Sequence, residues 1–400
     1  MRHNVSVLFA VCVGYGFSTG LVDFAVPYYL DSLGLSFAQI GTIFAASAVV
    51  IFLLRLHLAR LSDLVGRKAL YVGSLALTSL STLAFPFVRG LWGLAGLRTG
   101  ADLSFSVRET MHATALYESR AHGYLNLQGK TRGVEMFFTA LGTLAAGYLL
   151  LVGFPAAFAV AFAVLAATTL AFAAWFAEPV ELAGGRSRGG LLQLLTAALP
   201  REIRVLALSG FIFGIAISAS HRYIPPLFFK EKFGLGKQVV GQIQLVHILS
   251  HVLPLLLVGW LVKRRLRTVF FWTLLVESVL LGLAGCFRGL GPTLFFWWTH
   301  DILGAGLWAP IQWALIQRYA RRDSRGLDAS VVPAATALGY IPGPLLAGWL
   351  AELTRVPLTG LAIPPPVAVS LPIIASGGIM IVSALPLLWL PPDDLTGTKA

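Results

Sequence analysis

The sequence has too little charge to be at home in water. Asp, Glu, Lys and Arg make up 12% of its 400 residues, about half the share found in soluble globular domains. That much charge cannot cover a water-facing surface of this size, so lipid is the solvent for most of the chain. Cysteine is nearly absent too. Cys12 and Cys286 both sit inside apolar runs, so no disulfide or zinc framework is indicated and both are expected to be small buried hydrophobes. Acids are outnumbered, 18 against 30 Lys and Arg, for a net charge of +12. The basic residues form no single patch. They fall in short clusters between apolar runs, so nucleic acid is excluded as a partner and the pattern reads as a membrane-topology signal. The first apolar run has no small-residue cleavage site and is expected to stay as a helix.

Hydrophobic residues, by contrast, are 57% of the chain. They gather in runs of roughly 20, the length of a membrane-crossing helix and about twice that of a barrel strand. Twelve runs are found, near 5–30, 37–58, 69–88, 91–117, 133–152, 156–176, 205–229, 239–262, 269–287, 290–317, 329–353 and 366–390. Backbone polar groups in lipid must be satisfied internally, so each run is expected to be helical. With a cytoplasmic N-terminus, about 20 Lys and Arg fall on the cytoplasmic side and about 6 on the other. Both termini are therefore expected inside, in a multi-pass protein of the cytoplasmic membrane.

The two halves repeat at an offset of about 200 residues. Gly142-Thr-Leu-Ala-Ala-Gly147-Tyr-Leu reads against Gly343-Pro-Leu-Leu-Ala-Gly348-Trp-Leu, and Asp23…Pro27…Asp31 against Arg222…Pro226…Lys230. Leu64-Val-Gly-Arg67 lines up with Arg264-Arg-Leu-Arg267. Half-length symmetry marks transporter folds built by duplication, with the substrate site between the repeats. The expected architecture is all-α: twelve transmembrane helices in two pseudo-symmetric six-helix bundles. Residues 1–178 form the first bundle, 179–204 a cytoplasmic central loop and 205–400 the second bundle.

The loop after the second run reads Ala59-Arg-Leu-Ser-Asp63-Leu-Val-Gly66-Arg67-Lys68. Asp63 and Arg67 can pair at a spacing of four, Gly66 permits a tight turn, and Arg67 and Lys68 suit a cytoplasmic surface. This run resembles the signature loop of the major facilitator superfamily, Gly-x-Leu-x-Asp-Arg-x-Gly-Arg-Arg/Lys. The approach to that second helix, Leu35-Ser-Phe-Ala-Gln39-Ile-Gly41, is similar as well. The resemblance implies the major facilitator fold, with Asp63 bracing the start of the eleventh helix to hold a gate shut. Ala59 stands where that family has glycine, and Lys263 stands where the second copy of the loop would carry the Asp, so that gate must be built differently. Arg98 resembles the family's fourth-helix arginine. Gly343-Pro344-x-x-x-Gly348 resembles the Gly-Pro motif of antiporters, although here it lies in the eleventh run.

Ionisable side chains within spans cost from about 2.5 to well over 10 kcal/mol each, so every one must be paired, wet or functional. Arg98, Asp102, Phe105, Glu109 and His112 follow steps of four and three and form one stripe of the fourth helix. Arg98–Asp102 and Glu109–His112 can pair along it, either to line a cavity or simply to hold the bundle together. Arg108 lies about a hundred degrees off the stripe, within reach of a neighbouring helix. Asp23 and Arg222 each precede a proline by four residues. They are candidates for a bond across the cavity, with Asp23 alternatively a proton site or a local filler for the helix break before Pro27. Gln244, His247 and His251 share a face of the eighth helix and suggest a wet wall; a metal site there would need more ligands. Arg55, two turns before Asp63, reads equally as a gate partner and as a substrate contact. His221 and His300 can titrate near physiological pH. Glu135 is expected to snorkel outward, Glu277 to find a scaffold partner, and Trp297, Trp298, Phe228 and Phe229 to anchor at the interface.

These residues point to a secondary active transporter, working as a monomer on a small-molecule substrate by alternating access. No phosphate loop is present, so direct ATP coupling is not expected. No cofactor and no metal is expected, and protons are the expected coupling ion. The Gly-Pro motif leans towards efflux of amphipathic compounds by antiport; the arginines Arg98, Arg108 and Arg222 lean towards uptake of a small polar or anionic metabolite by symport. A membrane-embedded enzyme is disfavoured by the lack of His-Glu-x-x-His and Gly-x-Ser-x-Gly runs. A non-transporting receptor or scaffold is disfavoured because the connections between runs are short.

Overall fold

The computed structural model describes residues 2–119, 124–178, 199–261, 265–321, 325–353 and 363–393. All regular structure among them is helical, as a lipid solvent demands. The first half runs α1 Arg2–Ser32, α2 Phe37–Val65, α3 Arg67–Ala84, α4 Leu91–Ser119, α5 Tyr124–Val152 and α6 Phe154–Trp175. The second runs α7 Arg201–His221, α8 Ile224–Phe233, α9 Lys237–Leu261, α10 Leu266–Cys286, α11 Leu290–His300 and α12 Gly306–Tyr319. It continues with α13 Arg325–Gly339, α14 Pro342–Ala351, α15 Pro365–Ala368 and α16 Leu371–Ala384. Ten stretches among the described residues are long and apolar enough to cross a membrane. Two further stretches are interrupted in composition or geometry: α4 by its charges, and 290–319 by a π-helical turn, Asp301–Ala305.

The prolines act differently in the two halves. Helix α1 passes straight through Pro27. The expected seventh helix, 205–229, instead breaks at Arg222–Tyr223, and α8 restarts with Pro225 and Pro226 in its first turn. Two consecutive prolines remove two N–H donors, and the residue before a proline avoids the helical region. Similarly, the eleventh run divides into α13 and α14 at Pro342.

The chain divides into two compact units: Met1–Leu35, Thr42–Arg188 and Leu235–Leu249 in one; Ser36–Gly41, Gly189–Gly234 and Ser250–Ala400 in the other. In the first, α1 packs on α5 and α6, and α3 on α4 and α6. Gly16 and Gly20 of α1 lie against the carbonyls of Glu135 and Thr139, and Gly142 of α5 against that of Phe17. In the second, α7 packs on α13 and α16. Gly214 meets the carbonyl of Thr336, Gly339 that of Phe211 and Gly343 that of Ile215. Small residues let helix backbones approach closely where lipid gives no hydrophobic drive to association. Gly142→Val should therefore force α1 and α5 apart at a cost of about 1–3 kcal/mol or more. It is read as a lower melting temperature and a loss of monodisperse protein on size-exclusion chromatography.

Each unit carries the same carboxylate cap, which the sequence comparison does not reveal. Glu178, just after α6, accepts the backbone N–H groups of Arg67 and Lys68 at 2.8 Å each. Asp393, near the C-terminal end, accepts those of Arg267 and Thr268 at 3.1 Å each and the Thr268 hydroxyl at 2.9 Å. Both carboxylates sit at a helix N-terminus, that of α3 in the first half and α10 in the second, where free N–H groups and the helix dipole attract negative charge. Glu178→Ala and Asp393→Ala should each cost about 1–2 kcal/mol. Unchanged melting of either variant would show the cap to be idle.

Large apolar side chains such as Phe87, Trp92, Trp175 and Trp389 are exposed, as lipid permits. Trp297, Phe228 and Phe229 correct the expectation of interface anchoring. All three are fully buried and pack on one another, with ring centroids 5.6 Å apart for Phe229–Trp297 and 6.3 Å for Phe228–Trp297. Trp298 is partly exposed.

Candidate functional site

Two ionic networks occupy the first unit, both anchored on α4. In the first, buried Arg98 lies 2.6 Å from Asp102 one turn on and 2.9 Å from Asp23 of α1. Asp102 also accepts the Ser47 hydroxyl of α2 at 2.6 Å, and the guanidinium stands 4.7 Å from the Phe44 ring centroid. Arg98 and Asp102 are almost wholly buried, while the Asp23 side chain is 59% exposed. The trio carries one cation against two anions. Its net charge is −1, presented on the exposed Asp23 oxygens.

The second network begins one face away. Arg108 donates from both terminal nitrogens to the two Glu135 oxygens of α5, each at 2.9 Å, a fork-on-carboxylate geometry. Arg132 adds a bond to Glu135 at 2.8 Å, and the Arg108 guanidinium lies 3.9 Å from the Tyr15 ring centroid. Glu135 is buried, which corrects the expectation that it snorkels: two guanidiniums reach it inside the bundle. The expected Glu109–His112 pair does not form. Glu109 is exposed, whereas His112 is buried between Tyr71, at 2.9 Å, and Cys12, at 3.8 Å. Three residues on a helix turn 300 degrees, enough here to put one side chain outside and the other against α1 and α3.

Asp23 takes its partner, Arg98, from its own unit, while Arg222 lies 5.8 Å over the Tyr340 ring centroid in the other. Gln244 and His247 are buried on α9, and His251 of the same helix lies 3.2 Å from Asp301. Of the gate residues, Gly66 is buried with φ 92°, the left-handed conformation that favours glycine, and Arg67 and Lys68 open α3 beneath Glu178. Gly343 and Pro344 are buried in the first turn of α14, where the Pro344 carbonyl accepts the Tyr223 hydroxyl at 3.1 Å. The side chains of Arg55 and Asp63 lie outside the described residues. Sequence reasoning missed Ser47, Tyr15, Glu178 and Asp393. Their partners lie 55 to 126 residues away, a distance that helical periodicity does not span.

The sequence profile of the Major Facilitator Superfamily matches residues 8–225 and again 206–400. The chain belongs to that superfamily of membrane transporters. It is 24% identical over 392 residues to multidrug resistance protein 2 of Bacillus subtilis strain 168, covering 92% of this chain and 91% of that protein. Among solved structures it shares its fold with the human organic anion transporter MFSD10 (TETRAN), at a TM-score of 0.70 and 17% identity over 96% of this chain and 99% of that one. A bacterial homologue of the human lysosomal transporter Spinster superposes with a TM-score of 0.74 at 14% identity, over 96% of this chain and 95% of that one. The nucleoside transporter NupG does so with 0.70 at 13%, over 97% and 99%.

Proposed function

We propose that this protein is a monomeric proton-coupled antiporter that expels amphipathic cations across the cytoplasmic membrane. In this reading twelve spans fall into two halves, 1–178 and 205–400, joined by the cytoplasmic stretch 179–204, with both termini inside. Access to the substrate alternates between the two sides. The observation that carries the substrate class is the Asp23–Arg98–Asp102 trio. Its buried arginine is already matched by Asp102, so the exposed Asp23 carboxylate is surplus negative charge at a membrane span. A carboxylate against hydrocarbon would be costly, so its open side is assigned to a watery cavity in which a cation balances the charge that Arg98, shared with Asp102, leaves over. The multidrug-resistance relative supports a drug-like substrate.

Uptake of a small anion is the second reading. It requires guanidiniums free to hold the anion, and Arg98 and Arg108 are both buried and committed to carboxylates. The test is transport in proteoliposomes with and without an imposed pH gradient, using tetraphenylphosphonium, an organic anion and a nucleoside. Accumulation of the cation on the acidic side, abolished by collapsing the gradient, is expected. Gradient-driven movement of the anion or nucleoside instead would replace the first reading with the second.

A further inference from the structure

The second unit contains a buried chain of ionisable groups apart from the Asp23–Arg98–Asp102 trio. Asp301 opens the π-helical turn and is fully buried. Its Oδ1 lies 3.2 Å from Nε2 of His251 on α9 and 3.2 Å from Nε2 of its neighbour His300. His300, fully buried as well, has the same Nε2 3.4 Å from Nε2 of His221 at the end of α7. His221 Nδ1 in turn stands 2.7 Å from the Ser220 hydroxyl. The contacts run in series, His251–Asp301–His300–His221. The two middle members are sealed, while the outer two keep some exposure, 19% for the His251 side chain.

The neighbouring helices bring Glu277, Arg222 and His247 towards this chain. Helix α10 brings Glu277, fully buried, with no hydrogen-bond partner for either oxygen among the described residues. A buried charge without a donor is far costlier than a neutral carboxyl. Helix α7 brings His221, with Arg222 beside it turned over Tyr340. Helix α9 carries His247 one turn before His251, and α12 brings no ionisable group before Arg318. The Trp297 ring stacks on His221 with centroids 5.5 Å apart and 13° between planes, a face that favours a cationic imidazole. The chain of three neutral imidazoles and one carboxylate carries −1. One added proton makes it an electroneutral His⁺–Asp⁻ pair, the form that a dry interior tolerates. Gly304 packs so closely on the Glu277 side chain that a Cβ there would collide with it, and π turns inside α-helices recur at functional sites.

We propose that His251, Asp301, His300 and His221 together hold the coupling proton of this transporter. Loading moves one proton from hydronium to an imidazole nitrogen and leaves water; release returns it to water on the other side. No bond other than O–H and N–H changes. This rests on the proton-coupled reading above and supplies its site, in the half that does not carry Asp23.

The test uses purified full-length protein in a weakly buffered detergent solution with a pH-sensitive dye. Saturating tetraphenylphosphonium is added and the protons released are counted, with binding measured in parallel. Wild type is expected to release about one proton per molecule, the charge that separates the neutral from the anionic chain. Asp301→Asn and, as a milder variant, His300→Gln are expected to bind the cation and release less than about a fifth of that. Asp301→Glu should restore part of the release, and Trp297 emission should change with pH in wild type but not in His221→Gln. Wild-type release from either the Asp301→Asn or the His300→Gln protein would overturn the proposal. So would loss of cation binding in both, because the chain is assigned to the proton and not to the cation. If wild type binds the cation and releases no proton, it is proton coupling itself that fails, a distinct result.

Discussion

Arg108→Met is expected to leave little folded protein. Arg108 is 2% exposed, stacked on Tyr15 and doubly bonded to Glu135. Its removal strands a buried carboxylate, with Arg132 as the one remaining ionic partner among the described residues, itself 41% exposed. Breaking one side of a buried pair costs about 3–5 kcal/mol, a large fraction of the stability of a typical domain. The double variant Arg108→Met/Glu135→Leu should recover most of the loss, because both charges leave together and Arg132 can turn to water. The readouts are thermal melting and monodispersity in detergent. A single variant that melts like wild type would show that the network is not structural, and Arg108 would return to the candidate substrate contacts.

Asp23→Asn should weaken tetraphenylphosphonium binding by about 10- to 100-fold, the value of one charge-assisted contact. The substitution keeps size and hydrogen-bonding capacity but removes the surplus anion. Arg98 keeps Asp102 as its partner, so melting should change little. Asp23→Glu should retain a good part of the affinity, and binding of a neutral compound of similar shape should be insensitive to either change. Affinity of the Asp23→Asn protein within about twofold of wild type, a difference too small for a lost ionic contact, would remove Asp23 from the binding surface and leave it as a counter-ion of Arg98.

The π-helical turn and the two proline sites show why the two halves of a duplicated chain need separate readings. Asp23 and Arg222 align, as do Pro27 and Pro226, yet α1 runs on through its proline while α7 stops at His221. The difference is one extra proline, Pro225, which doubles the loss of backbone donors. In the same way Glu178 and Asp393 perform one task in the two units, although neither lies in an alignable motif. A cap needs only a carboxylate within reach of two N–H groups, and many backbone paths deliver one.

Hydropathy and the low charge were enough for the lipid solvent and the helical class, because these depend on composition summed over a span. The Ala59–Lys68 run was enough for the superfamily. The i, i+4 pairing of Arg98 with Asp102 was also legible, since helix geometry alone brings those side chains together. Tertiary structure decided the rest: that Glu135 meets Arg108 instead of the interface, that His112 turns to Tyr71 instead of Glu109, and that Trp297 lies under a histidine instead of at the membrane surface. Each of these depends on how far one helix is rotated and shifted against its neighbour. That is set by packing across the bundle, such as the glycine contacts of α1 with α5, and a rotation of one residue carries a side chain through about 100 degrees.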